Sequence, residues 1–248
     1  MKRFFLGLTL LVIALIQTAP AWLLDLSLQS VTNGRIRLTQ AHGRIWHGSG
    51  TLARAAEART FTAWLPVDWS FEPAALRQGQ LQWKIRSSTQ PLMLLAVSPR
   101  GINLQTLKLT LPAVALGDIA PHPVFQTIGW RGKFTLNTQN YQCTWAGVCT
   151  GKLDAIWHDA GVDILPTHNF GDYNIQINAQ AGDIGITLSS APNSAIAAEG
   201  SGRVTPKEGL RFTGTLKGDP DTVGRLPNIM DRNAKQTTTP GVVELHFP

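Results

Sequence analysis

The chain has 248 residues, is 43% hydrophobic and only 15% charged, and carries a net charge of +6. Lys2 and Arg3 supply two of those charges and the others stand singly. The clustered cations that displace counterions from a nucleic acid are therefore lacking, and nucleic acid is excluded as a partner.

Lys2-Arg3 is followed by the uncharged run from Phe4 to Leu24. That length crosses a hydrocarbon core of about 30 Å at about 1.5 Å per residue. Basic residues before the run and none directly after it place residues 1–3 in the cytoplasm. The expected organisation is a signal-anchor helix over 4–24 and a periplasmic domain over 25–248. A competing reading is a cleaved signal peptide, because Ala19-Pro20-Ala21 has the A-x-A form. Apolar residues continue through Leu24 and Leu26, which favours the uncleaved anchor.

Beyond Asp25 the dominant period is two. "RIRLTQ" (35–40), "QLQWKIRS" (80–87), "GINLQTLKLTL" (101–111), "GKFTLNTQ" (132–139), "YNIQINAQ" (173–180), "GITLSS" (185–190), "LRFTGTLKG" (210–218) and "VVELHF" (242–247) all alternate apolar with polar residues. Such runs are strands with one buried and one wet face. Turn residues between them, and no regular helices to make crossovers, predict a mainly antiparallel meander. The fold class is all-β: a transmembrane helix, then an elongated sheet or sandwich-like domain with one or two short helices. "EPAALRQG" (72–79) reads as about two helical turns and "DPDTVGRLPNIMDRN" (219–233) holds another short helix. "LPAVALGDIAPHP" (111–123) is too rich in proline for more than a turn, and two half-sheets are expected to meet there. "RNAKQTTTPG" (232–241) reads as a mobile loop. Glycines recur near strand starts in "HGRIWHGSGTL", "IGWRGKFTL", "CTGKLDAIW" and "GSGRV", where they relieve crowding at bulges and corners.

Candidate sites are few. In "AHGRIWHGSGTLARA" (41–55), His42 and His47 are five apart, on opposite faces of a strand, so they do not chelate one metal ion. Trp46 is read as a core anchor there. Ser49 lies outside any G-x-S-x-G elbow. Asp154, Asp159 and Asp163 lack the burial that general acid–base work needs. No Walker loop, H-E-x-x-H or dinucleotide fingerprint is present. The chain thus offers no catalytic residues, no metal ligands and no cofactor motif. Cys143 and Cys149 predict a disulfide in an oxidising compartment. In "TAWLPVDWSFEPAAL" (62–76), Trp69 and Phe71 share a strand face with Val67, and Trp64 lies nearby. With Trp46 and Trp83, they form either a core stripe or an aromatic ridge for a partner or a bilayer interface.

A short basic N-terminus, an anchor ending in small residues and proline, "GRIWHGSGTL" and "VDWSFEPAALRQGQLQWKI" resemble protein N of the type II secretion system. Further along, the cysteine pair around Trp145, "DAGVDILPTHNFGDYNIQI" and "GSGRVTPKEGLRFTGTL" follow in the same order. The resemblance implies a bitopic inner-membrane protein with a periplasmic β domain. It implies an accessory, non-enzymatic role in exporting folded proteins, with the inner-membrane platform proteins and the outer-membrane secretin as partners. It carries over no catalytic residues. A β-rich likeness to periplasmic lipid-handling proteins of the AsmA type gives the alternative, a lipid-binding protein whose Trp46, Trp69, Leu81 and Trp83 line an open groove.

Overall fold

The computed structural model describes residues 7, 11, 14–57, 60–87, 90–115, 129–163, 169–205, 209–225 and 233–247. They form two compact units, residues 1–94 and residues 95–248. The region 111–123 and the anchor 4–24 lie partly outside the described residues. Among the described residues no helix is long and apolar enough to cross a membrane.

Among the described residues fourteen strands belong to one antiparallel sheet in the order β1 to β12, then β14 and β13. They are β1 (Ile36–Gly43), β2 (His47–Glu57), β3 (Thr60–Phe71), β4 (Leu81–Ser87), β5 (Gln90–Ser98), β6 (Gly101–Pro112), β7 (Trp130–Thr144), β8 (Cys149–Val162), β9 (Gly171–Gln180), β10 (Asp183–Ser190), β11 (Ala197–Thr205), β12 (Gly209–Lys217), β13 (Ala234–Gln236) and β14 (Val242–Phe247). From β1 to β12 each strand is the neighbour of the next in sequence, as in a meander. The strands are not divided between the two packed sheets of a sandwich. Two stretches differ from expectation in kind. "EPAALRQG" winds as a 3-10 helix over Pro73–Gln78, closed by Gly79 in the left-handed region. Part of the expected loop 232–241 is β13, which pairs with the last strand. A short helix does form at Pro220–Val223, capped by the Asp219 carboxylate.

In the first unit residues 14–18 are helical, Pro20 bridges to Arg44, and a second helix runs over Trp22–Val31. Its Leu24 and Leu28 pack on Leu38, Val67 and Trp69, with Leu52, Leu65 and Ile85 around them. Leu24 and Leu28 therefore cover the sheet, while Trp22 and Leu26 stay exposed. This helix also closes the outer margin of β1. The Asp25 carboxylate accepts the Leu38 N–H at 2.7 Å and the Arg37 guanidinium at 2.7–3.2 Å. The Thr32 hydroxyl oxygen accepts the Ile36 N–H at 3.1 Å. Amides that would recruit another strand are thus occupied from within.

The Arg37 contact, with the Leu38 amide, holds the Asp25 carboxyl below its usual value. Its contribution to stability is therefore present above the unfolded value of about 3.9 and is lost as pH falls through the lower folded value. Asp25→Ala should cost about 1.5–3 kcal/mol at neutral pH, the range for hydrogen bonds to a charged group. Urea denaturation of both proteins at neutral pH and near pH 3 checks this, with the difference shrinking in acid.

In the second unit alternate residues build one apolar face. Phe134, Trp157 and Tyr173 lie in register across β7, β8 and β9, and Ala198, Leu216 and Val243 across β11, β12 and β14. Val223 and Val243 are fully buried in this core, beside Ala160, Val162, Phe170, Ile196 and Leu245. The ring of Phe212 lies over β11, so a methyl at Gly202 would meet it at 2.8 Å. Glycine at that position makes room for the ring. Residues 226–232, which include the break expected near Pro227, lie outside the described residues.

Candidate interaction surfaces

Trp46, Phe71 and Trp83 form one aromatic cluster in the first unit. Ring centroids are 4.9 Å apart for Trp46 and Phe71, 5.5 Å for Phe71 and Trp83, and 6.0 Å for the stacked pair Trp46 and Trp83. Trp69 is beneath the covering helix and 7% exposed. Every one of these indoles spends its N–H on backbone. Trp46 donates to Ile16 O at 2.8 Å, Trp69 to Arg44 O at 2.9 Å and Trp83 to Ile45 O at 3.0 Å. Ile45 N–H in turn donates to Ala19 O, and Ala21 N–H to Gly43 O. The stretch 43–46 is therefore a joint at which β1, β2 and residues 16–21 are pinned by three tryptophans. An indole serves here because it combines a large apolar body with one donor that must be satisfied when buried.

Trp64 does not join the cluster. Leu65 pairs with Leu52 and Ala63 with Ala53, so Trp64 is the extra residue of a bulge in β3. A residue inserted in this way changes the phase of the alternation on either side of it. Its indole nitrogen is buried without a hydrogen-bond partner among the described residues.

The predicted Cys143–Cys149 disulfide is present, joining directly opposed residues of β7 and β8 with Cα atoms 4.0 Å apart. It closes the hairpin tip that carries Trp145, which is 60% exposed yet donates its indole N–H to Ser98 O at 3.1 Å. Removing the bridge with Cys143→Ser and Cys149→Ser should lower stability by roughly 2 kcal/mol, the loop-entropy value for so short a ring. Comparing urea midpoints of the double variant and the oxidised parent tests this.

The residues considered for chemistry are not assembled for it. Ser49 stands between His42 and Asp68 across β1, β2 and β3. A triad needs the imidazole between the hydroxyl and the carboxylate, and here the serine is the middle member. His47 pairs across to Ser70, away from His42. Asp154 faces Asn137 and Gln176 in the ladder, Asp163 lies 3.8 Å from Arg131, and Asp159 accepts from Asn169. The Asp172 carboxylate accepts the Asp159 N–H at 2.9 Å and lies 3.2 Å from His158 Nδ1. Both contacts hold its carboxyl below the usual range, the amide more than the imidazole. Among the described residues no cluster of three or more metal-ligating side chains occurs.

Sequence reasoning missed the Asp25–Arg37 latch and the Trp130, Phe134, Trp157, Tyr173 cluster of the second unit, with centroids 5.1–5.7 Å apart around Trp157. The alternation in "GKFTLNTQ" and "YNIQINAQ" already put Phe134 and Tyr173 on the apolar face. The cluster could have been found by extending that phase into β8.

A family model described as type II secretion system (T2SS), protein N, matches residues 34–243. No curated protein and no solved structure matches the chain.

Proposed function

This chain belongs to the family of type II secretion system protein N, and from that premise we propose that it serves the secretion machine as a non-catalytic, partner-binding scaffold in the periplasm. Family membership supports an accessory role in type II secretion. The observation that carries the finer reading is the asymmetry of the sheet margins. The outer amides of β1 are occupied by Asp25 and Thr32, whereas β13 covers β14 over Val243–Leu245 alone. A partner strand would add at the β13–β14 margin, main-chain hydrogen bonds giving affinity and alternate side chains giving selectivity. The proposed partners are the inner-membrane platform proteins and the secretin. The proposal includes a membrane anchor in the N-terminal apolar run, ahead of the segment from Pro20 that packs on the sheet, and an oxidising periplasm suits the Cys143–Cys149 bridge.

The lipid-binding alternative requires the tryptophans of the first unit to line an open groove. Trp69 is instead buried under Leu24 and Leu28, which favours the scaffold.

Site-directed crosslinking in intact cells tests the proposal. Lys235→Cys on β13 should trap a platform protein or the secretin, and His42→Cys on β1, which leaves the Asp25–Arg37 contact intact, should not. Equal trapping from both positions, or none from either together with normal secretion in a deletion strain, would remove the reading.

A further inference from the structure

The connections between β1 and β2 and between β3 and β4 lie at one end of the first unit, because His47 pairs with Ser70 and Phe71 with Trp83. Residues 16–21 are fastened to that end. The Ile16 carbonyl accepts the Trp46 indole N–H at 2.8 Å, the Ala19 carbonyl accepts the Ile45 N–H at 3.0 Å, and Ala21 N–H donates to Gly43 O at 3.1 Å. No free length of chain separates the end of the N-terminal apolar run from the sheet.

That fastening sets a length. Pro20 is bridged to Arg44, and Ala21, Leu24 and Leu28 pack on the sheet. The uncharged run left over extends from Phe4 to Ala19, 16 residues. As a helix of about 1.5 Å per residue it would rise about 24 Å, short of a hydrocarbon core of about 30 Å. A short span is accommodated by drawing its flanks into the interface. Here the flank is the sheet end itself, which carries the stacked Trp46 and Trp83. Tryptophan is enriched at headgroup depth.

The surface of this end suits that depth. Ile16, Trp22 and Leu76 are 49%, 54% and 52% exposed, three large apolar side chains on three separate segments. Leu76 belongs to the 3-10 helix that joins β3 to β4. At the far end of the first unit, among the described residues, the exposed large apolar side chain is Phe61, and the Arg37 guanidinium lies over its ring at 5.5 Å. Arg44 and Arg77 are exposed in the two connections of the near end, against one carboxylate, Glu72, which is half-buried. Apolar side chains flanked by cations complement a bilayer that carries anionic headgroups.

We propose that this end of the first unit is a membrane-docking surface, seated in the headgroup layer of an anionic bilayer. Trp22 and Leu76 dip toward the acyl chains, and Arg44 and Arg77 meet lipid phosphates. The inference rests on the anchored reading for its orientation. It adds that the first unit sits on the membrane instead of being held off it.

The test uses the full chain in phosphatidylcholine vesicles, with or without phosphatidylglycerol, that carry a nitroxide on the lipid headgroup. The two native cysteines are bonded to each other, so a fluorophore can be placed on a single new thiol. A label at Leu76→Cys should lose about half of its fluorescence or more when phosphatidylglycerol is present. A label at Thr62→Cys, nine residues back from Phe71 along β3 and so about 30 Å away, should lose none. Arg44→Gln and Arg77→Gln together should reduce the quenching at residue 76 by about twofold or more, as removal of two headgroup-facing cations requires. A label at Leu11→Cys, read with an acyl-chain nitroxide, reports the anchor separately. Quenching at residue 11 without quenching at residue 76 would overturn the docking surface and leave the anchor, and quenching at neither would overturn both. Equal quenching at residues 62 and 76, or quenching at 76 indifferent to phosphatidylglycerol and to the arginines, would also overturn the proposal.

Discussion

Replacing Trp69 with alanine should destabilise the first unit by about 3–5 kcal/mol, the range for removing a buried aromatic. The ring is 7% exposed and sits between the covering helix and the sheet. It lies so close to β2 that a methyl on Gly48 would come within 2.6 Å of it. The surrounding backbone of β2 cannot collapse into the vacated space without breaking its pairing with β1 and β3. Alanine also strands the Arg44 carbonyl, which accepts the indole N–H at 2.9 Å. Trp69→Phe separates the two effects: it keeps most of the ring and should cost about 1–3 kcal/mol for the lost donor. Urea titration of the full chain, followed by far-ultraviolet circular dichroism, reads both. A loss below about 1 kcal/mol for the alanine variant would show that the joint is held by something else.

Tyr173→Ala should do comparable damage to the second unit, also about 3–5 kcal/mol. The ring is buried against Trp157, and the phenol donates to Ile196 O at 2.7 Å while lying 3.2 Å from Phe170 O. Its hydroxyl thus ties the start of β9 to the segment entering β11. Burial pushes the phenol well above its ordinary range. The folded state resists ionisation, so this group's contribution is complete below the unfolded value of about 10 and is lost as pH rises from there toward the folded value. Alkaline unfolding of the parent should accordingly begin near pH 10. Tyr173→Phe removes the titrating group and flattens that part of the curve, at a cost of about 1–3 kcal/mol for the carbonyls left behind. An unchanged alkaline limb in the phenylalanine variant would show that other groups control it.

How far these features were legible in the sequence varies from strand to strand. β4, β9, β10, β12 and β14 could be read from alternation because each keeps one phase from end to end, and β6 because it alternates on either side of a phase change between Leu104 and Leu107. β8 could not. Its pairing jumps between Trp157 and Ala160, and Asp159 takes a positive φ, so a single period does not run through "CTGKLDAIWHDAGV". β5, "QPLMLLAVS", has a nearly continuous apolar run, which period two does not flag. β11, "AAEGSGRVT", hides its apolar positions as Gly200 and Gly202, since the side chain filling that space is Phe212 of the next strand. The aromatic joint at 43–46 was visible as tryptophans and glycines, but its donors go to backbone carbonyls, which carry no residue signature. The Asp25–Arg37 latch joins residues 12 apart across a helix end, beyond the reach of any local pattern.

The sealed flank of β1 bears on self-association. A molecule with two available flanks can stack copy upon copy into a filament. Among the described residues, with Asp25 and Thr32 plugging one flank, the β13–β14 side remains to meet another copy. Two such sides brought together would consume each other, so strand addition between copies at that margin would end at a pair. Opening the plug, as Asp25→Ala does, is what would convert a self-limiting contact into a propagating one.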